Sequence, residues 1–78
     1  MSVTVLYFAS LRERAGRESE TVATPASLAA LYDELRARHG FALGREKLRV
    51  AVDGAFADWS MPPRDGMEIA FIPPVSGG

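Results

Sequence analysis

Cysteine is absent from the 78 residues, which removes disulfides, thiolate metal sites and a cysteine nucleophile together. Histidine occurs once, as His39. It falls at a predicted helix end, where a cation is favoured. A capping or solvent role is expected for it, since no nucleophile stands nearby in the sequence for it to activate. No apolar run is longer than that of Val5 to Ala9, which is far short of the roughly 20 residues that span a bilayer. No basic start leads into an apolar stretch and a small-residue cleavage site, so the sequence predicts a cytoplasmic protein without a signal peptide. Neither charge sign dominates. Nine basic and ten acidic residues leave a net charge of -1, which gives no general attraction to nucleic acid or anionic membrane. The carboxylates lack calcium-loop spacing, and no glycine-rich phosphate loop leads into a helix, so neither a metal site nor a bound cofactor is expected.

What is present is the composition of a small folded domain, 47% hydrophobic and 24% charged. Residues 3–8, almost all β-branched or aromatic, predict a central strand with two apolar faces. Ser10 and Glu13 stand in capping-box spacing, with Gly16 placed to end a short helix. The polar stretch 17–23 predicts an edge strand. Leu28, Leu31, Tyr32 and Leu35 mark one face of a helix over 28–39, capped by Ser27 and closed by Gly40, with Phe41 packing back on Leu35. Leu48, Val50 and Val52 alternate as a half-buried strand. Asp53-Gly54 signals a hairpin into a short strand with Phe56, and Met67 to Ile72 is the last strand. One long helix laid on a mixed four- to five-stranded sheet is an α+β arrangement, the β-grasp or ubiquitin-like fold. The domain is predicted over 1–72, with an extended tail over 73–78.

That tail has its own logic. Pro73 and Pro74 fix their φ angles and stiffen the stem. Val75 and Ser76 follow, and Gly77-Gly78 form a tip without Cβ atoms, able to enter a channel too narrow for other residues. Six residues at about 3.1–3.5 Å each reach about 20 Å, enough to cross from a docking surface into a buried pocket.

The opening Val5-Leu6-Tyr7-Phe8-Ala9 with Leu11-Arg12-Glu13, and the closing run from Gly66 through Ile72-Pro73-Pro74-Val75-Ser76-Gly77-Gly78, resemble the ubiquitin-like sulfur carriers of the molybdopterin synthase small-subunit family. The resemblance covers nearly the whole chain. It departs at Asp53, where the family usually has asparagine, and at Met67, where it has an acidic residue. It implies that an E1-like adenylyltransferase uses ATP to adenylate the Gly78 carboxyl, and that sulfur then replaces AMP to leave a thiocarboxylate. It further implies a heterotetramer with the large synthase subunit, where two sulfurs pass to cyclic pyranopterin monophosphate. The carrier itself is expected to have no catalytic activity.

The chemistry is consistent with those residues. A carboxylate is a poor electrophile until an acyl-adenylate supplies a leaving group. The thiocarboxylate that follows is, like a thiolate, a good nucleophile at neutral pH. If Val3, Val5 and Tyr7 face the helix, then Leu6 and Phe8 face the other side, as do Ala70 and Ile72. One helix cannot cover both faces, so an exposed apolar patch is expected beside the tail. The resemblance implies that Phe8, Phe56 and Ile72 contact partner subunits there, and that Arg12 lies near the activating enzyme. A one-residue shift in the alternation would make the first three core residues instead. Arg12, Arg14 and Arg17 otherwise read as a solvated basic cluster, and Trp59 as a lid on the core. Three other functions stay open: a sulfur carrier of thiamine biosynthesis, a ubiquitin-like modifier of lysines, and a non-covalent interaction domain with incidental glycines.

Overall fold

Period-two alternation carries the sheet. In the computed structural model, which describes residues 1–74, five strands run β1 (Ser2–Tyr7), β2 (Ser19–Ala23), β3 (Arg49–Val52), β4 (Ala55–Ala57) and β5 (Glu68–Ile72). Two helices, α1 (Ala9–Ala15) and α2 (Leu28–His39), and a 3₁₀ turn at Arg45–Lys47 complete the elements among the described residues. The sheet order is β2-β1-β5-β3-β4, with β1 and β5 parallel and every other pair antiparallel. This is the β-grasp arrangement, with the two most apolar strands side by side at the centre.

The core fills one face. Val3, Val5 and Tyr7 of β1, Val50 and Val52 of β3, and Ile69 and Phe71 of β5 meet Leu28, Leu31, Tyr32 and Leu35 of α2. Each such side chain contributes about 1.5–3 kcal/mol when fully buried. Tyr32 sits against Phe71 with ring centroids 5.1 Å apart. Trp59 stacks on Phe71 at 5.8 Å and is half-buried, in the lid position expected for it. Phe41 joins this core, stacked on Tyr32 at 6.0 Å.

Helix α2 begins and ends where its sequence dictates. The Ser27 Oγ accepts from the Ala30 N–H at 3.0 Å, and Gly40, at φ 74°, donates to the Arg36 carbonyl at 2.8 Å. Helix α1 differs from expectation. Its N-cap is Phe8, with no side-chain hydrogen bond, and Ser10 lies inside the helix. The chain turns at Ala9, which has φ 49°, so the Phe8 carbonyl accepts from the N–H groups of Leu11 at 3.0 Å and Arg12 at 3.4 Å. That turn ends β1 one residue before Phe8. Residues 17 and 18 lie outside β2, which is the edge strand predicted.

The Asp53-Gly54 turn has φ of 51° and 88°, positive at both central residues as a type I′ hairpin requires. Asp53 also ties the hairpin to the sheet. Its N–H donates to the Glu68 carbonyl and its Oδ1 accepts from the Glu68 N–H, each at 2.9 Å.

Candidate functional site: the open sheet face

The cross-strand register sets a single row on the face opposite α2. Leu6 pairs with Ala70, Ala70 with Ala51, and Ala51 with Phe56. Two alanines make a flat floor between two larger walls. Ala70 and Ala51 are 7% and 8% exposed, shielded by their neighbours rather than by any packed element. Towards the tail, Ile72 stands opposite Arg49, and Phe8 follows Tyr7, the partner of Phe71. Leu6, Phe8, Ala51, Phe56, Ala70 and Ile72 line one shallow trough of about 230 Å³ that ends at Gly54 and Glu68.

The exposures decide the alternation. Phe8 is 44% and Phe56 68% exposed, and Ile72 is half-buried, so none of the three is core. The Arg49 guanidinium lies 5.6 Å from the Phe56 ring centroid, a cation–π contact that orders both side chains. Nothing in the sequence pattern singled out Arg49. Its signal was its alternation with Leu48 and Val50, which puts it on the open face.

Arg12 is exposed on α1 and pairs with Glu18 at 3.4 Å. Arg17 pairs instead with Glu20 at 3.3 Å, so two of the three basic residues are taken by separate carboxylates, and the Arg14 guanidinium lies beside Gly40. Pro73 is buried and Pro74 exposed. Val75, Ser76, Gly77 and Gly78 lie outside the described residues.

His39 departs from its expected solvent or capping role. Its Nε2 lies 2.8 Å from Glu20 Oε1, and its ring meets Tyr7 edge-on at 5.7 Å. The Tyr7 phenol donates to the same carboxylate, and Arg38 adds a contact at 3.8 Å. Glu20 therefore holds β1, β2 and the end of α2 together. Burial alone would push its carboxyl up, but the hydrogen bonds from Tyr7 and His39, with the His39 and Arg17 charges, hold it below its usual range. Burial, reinforced by Glu20, pushes the Tyr7 phenol well above its ordinary value. The cluster is satisfied internally and faces α2, away from the trough; it is a structural clamp. Among the described residues no group of three or more metal-ligating side chains comes together, and no helix is long and apolar enough to cross a membrane.

The fold and its open face define a ubiquitin-like β-grasp domain that presents an apolar surface beside its last strand. The chain belongs to the ThiS family, whose model matches residues 5–78. It is 38% identical to the molybdopterin synthase sulfur carrier subunit of Escherichia coli, over 97% of this chain and 99% of that one. The human protein of the same name is 40% identical over 97% of this chain and 93% of its own. Among solved structures, the small archaeal modifier protein 1 of Haloferax volcanii superposes with a TM-score of 0.78 at 25% identity, covering 95% of this chain and 98% of that chain. A protein–protein complex of subunits 1 and 2 of the Helicobacter pylori molybdopterin-converting factor contains a chain that matches with a TM-score of 0.71 at 25% identity, over the full length of both.

Proposed function

We propose that this protein is the sulfur carrier of molybdopterin synthesis, acting through the Gly78 carboxyl. An E1-like enzyme adenylates that carboxyl with ATP, sulfur displaces AMP, and the resulting thiocarboxylate donates sulfur to cyclic pyranopterin monophosphate. The acceptor is held by the large synthase subunit, two copies of each subunit forming the heterotetramer. The observation that carries this reading is the apolar trough of Leu6, Phe8, Phe56 and Ile72 around an alanine floor, open at the strand end from which the tail departs. Such a face supplies a docking site, and the tail from Pro74 onward supplies the reach.

The carrier contributes no catalyst. An acyl-transfer site needs a nucleophile, a base and oxyanion donors in fixed geometry, and the satisfied Glu20 cluster offers none of these to solvent. The partner then supplies the groups that bind the pterin phosphate and exclude water. Its relatives' names and the subunit complex of the Helicobacter pylori protein support this assignment.

Intact-mass measurement of the chain after incubation with ATP, the activating enzyme and a sulfur donor tests it. Exchange of one oxygen for sulfur at the C-terminus is expected, and an unchanged mass refutes it. The likeness to a small archaeal modifier favours a second reading, conjugation to lysines. That reading predicts a branched Gly78 peptide on another protein in the host.

A further inference from the structure

The trough has one charged residue in its lining, Glu68, and a charge of opposite sign borders it, Arg49, outside the Phe56 wall. Arg49 stands beside Ile72 at the end nearest the tail, its guanidinium resting on Phe56. Glu68 lines the far end, four residues earlier on β5, which at about 3.3 Å per residue is about 13 Å away. The Glu68 backbone N–H is taken by Asp53. Among the described residues, neither the Arg49 guanidinium nor the Glu68 carboxylate lies within ion-pairing distance of an opposite charge, so no internal ion pair competes for either one.

We infer that Arg49 and Glu68 set the orientation in which a partner protein docks on this face. The partner surface carries a carboxylate opposite Arg49 and a cation opposite Glu68, flanking an apolar ridge that fills the trough. This rests on the docking role proposed above and names the chemistry of that partner. An apolar trough with a flat alanine floor gives area but little direction. A partner rotated half a turn in the plane of the sheet would still bury Leu6 and Phe56, yet would send the tail away from its pocket. Two opposite charges about 13 Å apart remove that degeneracy, because the reversed pose brings like charges together. The cation–π contact matters here: it holds the guanidinium against Phe56, beside the trough, instead of leaving it to wander on a long stem.

The experiment is a calorimetric titration of the large synthase subunit from the same host into wild-type chain, Arg49→Glu, Arg49→Met, Glu68→Lys and the double variant Arg49→Glu/Glu68→Lys, at low and high salt. Thermal melts confirm that each variant is folded. The expected loss for Arg49→Glu is about tenfold or more in Kd at low salt, shrinking as salt is raised. Arg49→Met, which keeps the stem over Phe56, is expected to lose less and to flatten the salt dependence. The double variant should regain affinity over either single one, because the half-turned pose then brings opposite charges together, while sulfur transfer with the synthase stays lost because that pose sends the tail away from its pocket. Unchanged affinity and salt dependence in Arg49→Glu, with wild-type binding intact, overturns the inference and leaves the carrier assignment standing. Absence of wild-type binding overturns both. A double variant that binds worse than either single one also overturns it, since the two charges would then add to affinity without selecting between two orientations.

Discussion

Replacing Phe56 with aspartate separates docking from folding. Phe56 is 68% exposed, so in the free protein the new carboxylate is solvated. The cost there is the poorer strand propensity of aspartate, about 1 kcal/mol. In a complex that covers the trough the balance changes. A phenylalanine buries about 200 Å² in all, so the 68% still open represents about 135 Å², worth about 3 kcal/mol at about 25 cal/mol per Å². That is about a hundredfold in Kd, before any penalty for covering an unpaired charge. Calorimetric titration against the large subunit reads the first quantity, and a thermal melt reads the second. Ile69→Ala is the control in the opposite sense. Its side chain is fully buried on the α2 face, so it should lose about 2–5 kcal/mol of stability and leave the affinity of the surviving folded protein unchanged. A melting point for Phe56→Asp as low as that of Ile69→Ala would refute the argument, because it would place Phe56 in the core. Unaltered binding with unaltered stability would refute it too, by removing the trough from the docking surface.

Glu20 predicts an acid-labile clamp. Its folded carboxyl titrates below the ordinary value of 4.5, so its stabilisation is complete above that pH and is lost as pH falls through the folded value. Wild-type melting should therefore drop more steeply on acidification than that of Glu20→Gln, and parallel pH profiles would count against the clamp. Asp53→Ala should destabilise the fold by about 1–2 kcal/mol, from a lost hydrogen bond and a positive φ without glycine or asparagine, while Asp53→Asn keeps the acceptor and should be close to neutral in chemical denaturation. Deleting Gly78, or placing a bulky residue at Gly77, should abolish thiocarboxylate formation in the mass assay without moving the melting point. Purified thiocarboxylated chain mixed with cyclic pyranopterin monophosphate alone should yield no dithiolene, and adding the large subunit should restore turnover.

Local pattern was enough for most of the fold. The 3.6-residue spacing of Leu28, Leu31, Tyr32 and Leu35 and the alternation of Val50 and Val52 each answer to one element's own geometry. The open face was legible for a related reason: one long helix covers one side of a sheet, so alternation assigned Leu6, Phe8 and Ile72 to the other. Two features were not legible. The start of α1 was misplaced because Ser10 and Glu13 satisfy a local rule, whereas the observed turn depends on Ala9 adopting a positive φ that no residue preference announces. The Glu20 clamp joins residues 13 and 19 positions apart. Glu20 pairs with Val5 across the β1–β2 ladder, and only that register shows it on the α2 side, where Tyr7 and His39 reach it.

The alanine floor bears on how such a face can work. Burying Ala51 and Ala70 beneath a partner yields little area by itself, so most of the docking energy must come from the walls, Leu6, Phe8, Phe56 and Ile72. A flat floor also lets a partner's side chains enter between those walls without displacing core residues on the α2 side. If the carrier visits an activating enzyme and then a synthase, as proposed above, this division is useful. Affinity that resides in a few exposed side chains is set by those side chains, and their number and size fix how fast the domain dissociates for exchange between two enzymes. Deepening the trough would slow that exchange, whereas filling it should end it. Ala70→Leu tests the point: the added side chain projects into solvent in the free domain, so the fold should tolerate it, while both partners should lose binding together. Loss of one partner alone would mean that the two enzymes read different parts of this surface.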